Sequence, residues 1–169
     1  MSAAGSDLII RDYAPALASH FRDINAEWIN AMYVMEAADL AALDNPGAIL
    51  DGGGAILFVE AAGLGIVGTV ALRQTAPGIF ELTKMGVLEK ARGRKAGEYL
   101  LQAAIARAHA MGAATLYLLS NTKSAAAIHL YEKAGFVHDA EIMRAYGARY
   151  ERCNVAMRYA GKVERPSLV

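Results

Sequence analysis

Between Glu81 and Leu101 the chain passes from a β-rich run, through a short basic turn, straight into an amphipathic stretch. This junction limits the folds open to the chain more than any other segment. Glu81-Leu-Thr-Lys-Met-Gly-Val87 reads as a strand and Arg92-Gly-Arg-Lys-Ala-Gly97 as a turn. From Arg94 to Met111 the residues Leu101, Ile105 and Ala108 recur on one helical face, and Gly112 stops the helix. A strand that feeds a helix in this way gathers the unpaired N–H groups and the positive end of the helix dipole at one point, which is an anion site. Five basic residues, Lys84, Lys90, Arg92, Arg94 and Lys95, accompany the single acid Glu89 there. The turn therefore suits a pyrophosphate. It carries neither the two glycines and Lys-Ser/Thr of a Walker loop nor the three glycines of the dinucleotide fingerprint.

The rest of the chain fits a mixed sheet with helices on its faces. Leu8 to Arg11 is expected as a strand, and a helix follows Pro15 with Leu17, Phe21, Ile24 and Trp28 on one side. A second helical piece covers Val34 to Leu43, Asn45-Pro46-Gly47 breaks the chain, and Asp51 to Gly54 is a turn. Strands are expected over 55–61, 65–73, 78–87 and 115–119, a helix over 124–134, and two last strands over 137–143 and 149–159 that pair with one another. The resulting class is α/β, a central, mixed, mostly antiparallel sheet of about 6–7 strands with about four helices. A length of 169 residues fits one domain, with termini 1–6 and 161–169 flexible.

Apolar runs such as Ala55 to Val59 fall short of the ~20 residues that a membrane helix needs. No membrane is expected as a partner. The first residues, MSAAGSDL, show no basic flank ahead of an apolar core, so the cytoplasm is the expected compartment. Cys153, the only cysteine, reads as a buried thiol of the last strand, and no Cys/His spacing suggests a metal. His109 and His129 read as packing or surface residues. Net charge is zero but unevenly spread, since Asp23 to Leu72 holds seven acids and no Lys or Arg. That stretch is expected to attract a cation and the basic second half an anion. With the basic residues gathered at one turn and a pI of about 6.9, no nucleic acid is expected to bind.

Val87 followed by Arg92-Gly-Arg-Lys-Ala-Gly97 resembles the acyl-CoA site of the GCN5-related N-acetyltransferase (GNAT) superfamily, with Lys95 where the family usually has its first glycine. A second block, Asn121-Thr-Lys-Ser124 and then Tyr131-Glu-Lys-Ala-Gly135-Phe136, is similar to the family's later strand-Asn-loop-helix motif. Phe21 to Asp39 resembles a subgroup with an early Asn-x-Glu-Trp stretch. The resemblance implies an acyl-CoA-dependent transferase that passes the acetyl group of acetyl-CoA to a primary amine of a small molecule or peptide, with no metal. A noncatalytic acyl-CoA-binding regulatory module with the same fold is the alternative. It further implies that main-chain groups of Met85 and Val87 pair with pantetheine, that Arg92, Gly93, Arg94, Lys95, Ala96 and Gly97 hold the pyrophosphate, and that Asn121 touches the pantetheine arm. Glu81 stands at the offset of the family's general base and Tyr131 at that of its thiolate-protonating tyrosine. Strand alternation sets residues 81, 83, 85 and 87 on one face, so Glu81 is expected on the side of Met85. Glu27, Trp28, Tyr33, Glu36 and Asp39 are expected to line the acceptor entrance, and a homodimer is common among such relatives.

Overall fold

The computed structural model describes residues 7–161; the termini expected to be flexible lie outside them, apart from Gly161. The chain divides into two compact units, Met1–Leu116 and Tyr117–Val169. Seven strands and six α-helices are present among the described residues. The class is the expected α/β with mostly antiparallel strands, and two short helices exceed the expected four.

In the first unit β1 (Leu8–Asp12), β2 (Ala55–Ala61), β3 (Gly65–Ala76) and β4 (Ile79–Val87) form an antiparallel meander in that order. Three helices, α1 (Ala18–Met32), α2 (Ala37–Asp44) and α3 (Pro46–Asp51), separate β1 from β2. Phe21 of α1, Leu43 of α2 and Ile49 of α3 pack with Ile56, Phe58 and Ala71 of the strands, which fixes one face of the meander. Alternation then turns Leu57, Val70, Leu72 and Leu82 to the other face, where α4 (Ala96–Ala110) buries Leu100, Leu101, Ala104, Ile105 and Ala108.

In the second unit β5 (Thr115–Ser120), whose first residues belong to the first unit, pairs with β7 (Val155–Tyr159), and β7 pairs with β6 (Phe136–His138), all antiparallel. Between these lie α5 (Ala125–Ala134) and α6 (Ala140–Tyr146). Gly135 ends α5 at φ 115, and a Cβ there would come within 2.9 Å of Gly161, so the glycine of the Gly135-Phe136 pair is demanded by both conformation and space.

Three local expectations are corrected. The break expected at Asn45-Pro46-Gly47 is confined to Asn45, and Pro46 and Gly47 instead open α3 from its first turn, where a missing N–H costs nothing. Residues 140–146 are helical rather than extended, because Asp139 accepts hydrogen bonds from the Glu141 and Ile142 amides and caps the turn. The Arg158 guanidinium beside Asp139, together with those amides, holds its carboxyl below the usual range. The last strand starts only at Val155, so Cys153 lies in the turn before it, half-buried, with its thiol near Val155 O at 3.5 Å.

Candidate active site

Strand β4 is irregular where the sequence placed the acyl donor. Against β3, Glu81 faces Arg73, Thr83 faces Ala71, but Gly86 faces Thr69, so one extra residue is inserted between Thr83 and Gly86. Lys84 takes it up in the left-handed conformation, φ 53, which is uncommon for a residue with a side chain. The insertion reverses the alternation. Glu81, Thr83 and Gly86 share the face covered by α1–α3, and Met85 does not, which corrects the expectation that Glu81 and Met85 lie together.

Glu81 is 1% exposed. Its Oε1 receives N–H groups from Arg73 Nε at 3.2 Å and Nη2 at 2.9 Å, while Arg73 keeps 28% of its side-chain surface. Both contacts use one oxygen, so Oε2 is the oxygen left able to accept a proton. Arg73 was not singled out from the sequence. A two-residue turn at Pro77-Gly78 would pair residue 74 with 81, and it is the register shift between Gln74 and Ala76 that brings Arg73 opposite Glu81, which no local signal announces.

The residues expected at the acceptor entrance separate into three environments. Trp28 lies against the backbone of β4: a Cβ on Gly86 would stand 2.5 Å from its Cδ1 and 2.8 Å from its Nε1. The indole is fixed by Nε1 donating to Asn25 Oδ1 at 2.9 Å, by Asn25 Nδ2 donating to Phe21 O, and by an edge contact with Tyr33 at 6.3 Å. Glycine inside a strand marks such a close approach. Gly86→Ala is accordingly expected to cost about 1–3 kcal/mol through overpacking, read from urea unfolding followed by the fluorescence of Trp28, the sole tryptophan.

Glu27 lines a cleft of about 600 Å³ with His20, Asp23, Leu64, Ile66 and Lys90. Glu36 and Asp39 instead build the start of α2, each capping the other's backbone amide. Asp39 is 0% exposed and bonded to Lys84 Nζ at 2.8 Å, so it offers no surface to an acceptor. The acidic stretch is also less isolated in space than in sequence. Arg22 answers Asp44, Arg11 answers Glu60 and Lys84 answers Asp39. The Asp44 hydrogen bond raises the affinity of the Arg22 guanidinium for its proton.

At the start of α4 the turn has the expected build. Lys95, at the position usually held by glycine, adopts φ 63 and ψ 24, the left-handed conformation in which glycine is at ease. No side chain caps the helix, so its first-turn amides keep their donors. Gly93 is also left-handed, φ 88, and a Cβ on it would meet no atom within 4 Å. Of the five basic residues read as one cluster, Lys84 is spent on Asp39, Arg92 pairs with Glu89, and Arg94 Nη1 donates to Ala62 O. Lys90, Arg94 and Lys95 carry the remaining charge, since a carbonyl does not neutralise the Arg94 guanidinium. Left-handed backbone, uncapped amides and these three cations together fit a pyrophosphate.

In the second unit, Asn121 donates from Nδ2 to Arg152 O at 2.6 Å and accepts at Oδ1 from the Lys123 amide at 2.7 Å. Its amide thus ties the loop after β5 to the turn before β7. Tyr131 is buried on α5 with its ring 5.9 Å from that of Phe136. His109 bonds through Nδ1 to Ile105 O one helical turn back, and His129 is exposed.

A family model for the acetyltransferase (GNAT) domain matches residues 53–138, just over half of the chain. The chain belongs to the GNAT acetyltransferase family. Solved structures agree on the GNAT fold. A GNAT-family acetyltransferase from Staphylococcus aureus Mu50 is 20% identical, with 90% of this chain and 98% of that one covered and a TM-score of 0.78. A spermidine N-acetyltransferase from Vibrio cholerae, solved with CoA and spermine, is 19% identical over 90% and 94% at a TM-score of 0.67. A ribosomal-protein-alanine N-acetyltransferase from Brucella melitensis is 21% identical over 89% and 98% at a TM-score of 0.69. Comparison with curated proteins finds no match. The matched segment takes in β2 to β6, and so includes the β4 bulge, the α4 turn and Tyr131 of this GNAT chain.

Proposed function

We propose that this GNAT chain is an N-acetyltransferase that transfers the acetyl group of acetyl-CoA to a primary amine of a small molecule or peptide. The observation that carries the reading is the start of α4, where left-handed Lys95, uncapped first-turn amides and open Gly93 come after β4 and one 3-10 turn, Glu89–Ala91. Acetyl-CoA supplies an activated thioester. Arg92 to Gly97 hold its pyrophosphate through backbone amides and the cationic charges. Main-chain groups of Met85 and Val87 hold the pantetheine arm as an added strand would. Asn121, with its side-chain amide engaged in the fold, serves that arm by fixing the loop after β5.

Glu81 Oε2 accepts the proton that the attacking amine must lose, and Tyr131 Oη donates one to the departing sulfur. Arg73 holds the carboxylate by its other oxygen and keeps it aimed. Solved relatives that act on spermidine and on a ribosomal-protein alanine support an amine acceptor. On the acceptor side Glu27, Trp28 and Tyr33 remain as candidate contacts. Of the three acids lining the cleft, Glu60 is paired with Arg11, and Asp23 and Glu27 are the two left to draw in a protonated amine. Glu27→Gln is therefore a cleaner probe of a cationic acceptor than Glu36→Gln, which would disturb the cap of α2.

Acetyl-CoA at 100 times its dissociation constant is expected to stabilise the fold by about 2.7 kcal/mol, seen as a raised melting temperature. Gly97→Trp should abolish most of that shift by crowding the pyrophosphate. A melting curve indifferent to millimolar acetyl-CoA would remove the basis of the proposal.

A further inference from the structure

Lysine is among the residues least suited to full burial, yet the Lys84 side chain keeps only 2% of its surface and Asp39, its partner, none. The pair joins positions 45 residues apart, and each end sits at a singular point of the backbone. Lys84 is the left-handed residue of the β4 bulge. Asp39 is the third helical residue of α2, and while Oδ1 accepts from Lys84 Nζ at 2.8 Å, Oδ2 accepts from the Glu36 amide at 2.9 Å. One carboxylate therefore clamps the first turn of a helix and the inserted residue of a strand at the same time. Apolar pairs of similar volume often fill such a space at no greater cost, so a buried ion pair is weak evidence of a stabilising role.

We infer that the Lys84–Asp39 pair is a positioning device for acetyl transfer, holding the β4 bulge in the one conformation that presents the main chain of Met85 to Val87 while tying it to the segment that leads into α2. The inference rests on the proposed N-acetyltransferase reading. A one-residue insertion can be absorbed in several ways along an antiparallel pair, and each shift by one residue sends the following side chains to the opposite face. The Nζ–Oδ1 bond selects the left-handed form at position 84. That form puts Gly86 on the α1 side, where it receives the Trp28 indole. Glu81, three residues before Lys84, and Met85, next to it, are the assigned proton acceptor and donor-binding residue on either side of the clamp. Replacing both charges together by apolar atoms is thus expected to disturb catalysis more than it disturbs the fold.

The test compares wild type with Lys84→Met/Asp39→Leu, which removes both charges and leaves apolar atoms in their place. Melting temperature, kcat and the KM for acetyl-CoA are measured with the amine that wild type turns over best. The inference expects a melting temperature within a few degrees of wild type together with at least a tenfold fall in kcat/KM for acetyl-CoA. A second variant, Lys84→Gln/Asp39→Asn, keeps polar atoms but spans less distance, and the same tenfold fall is expected. Wild-type kcat/KM in either folded variant overturns the inference, and so does failure of both to fold, which would make the pair a folding requirement instead. A wild-type protein that neither binds acetyl-CoA nor releases CoA would defeat the underlying reading, and that outcome is seen in the wild-type arm alone.

Discussion

Lys84→Met is expected to lower the free energy of unfolding by about 3–5 kcal/mol, the cost of leaving a buried charge without its partner. Asp39 would remain fully buried, its carboxylate still accepting from the Glu36 amide but no longer from an ammonium at position 84. A loss of this size is a large share of the 5–15 kcal/mol that a typical domain has, so the single variant should melt far below wild type. Urea unfolding measures it directly. The expected contrast is with surface pairs: Arg92→Met, which breaks an ion pair whose partners are 76% and 77% exposed, should change stability by less than about 1 kcal/mol. Equal effects of the two substitutions would mean that Lys84 reaches solvent.

Glu81→Gln is expected to slow turnover by about 10²- to 10⁴-fold, the range for loss of a general base. The amide keeps the shape of the carboxylate, and an amide oxygen can still accept from Arg73, whose 28% exposed side chain also has solvent to turn to. Affinity for acetyl-CoA should stay near wild type, because the turn proposed to hold the pyrophosphate lies beyond the end of β4. Unchanged kcat together with an unchanged pH profile would assign the proton to another group. A matched fall in acetyl-CoA affinity would make Glu81 part of donor binding instead.

Much of the fold was legible because its signals are local. β2, β3 and α4 read correctly to within a few residues, since uninterrupted apolar runs and a sustained helical face leave little choice. α3 was hidden by Pro46-Gly47, where a proline that starts a helix was read as one that ends a segment. α6 was hidden although Asp139, a good cap, stands before it, because the strand that starts at Phe136 was carried on through residue 143. In the site, the turn from Arg92 to Gly97 was readable as a motif, and the structure adds the reason a residue at position 95 must tolerate a left-handed backbone. The bulge was not readable. Nothing near Lys84 in the sequence announces it, and the carboxylate that its Nζ bonds stands 45 residues earlier. Charge counting failed for the same reason, since Lys84 and Asp39 were assigned to opposite roles, anion binding and acceptor capture, while they neutralise one another.

The central claim is the chemistry, and release of free CoA tests it most directly. Wild-type protein is incubated with acetyl-CoA and a panel holding a polyamine, an amino sugar, a lysine-containing peptide and a peptide with a free N-terminus. Thiol is measured against amine-free controls, and products are weighed by mass spectrometry. The account predicts amine-dependent CoA release matched one for one by a product heavier by one acetyl group, abolished or greatly slowed in Glu81→Gln. Acetyl-CoA binding without release above the control for any primary amine would contradict it and favour a binding module that keeps the fold without the reaction.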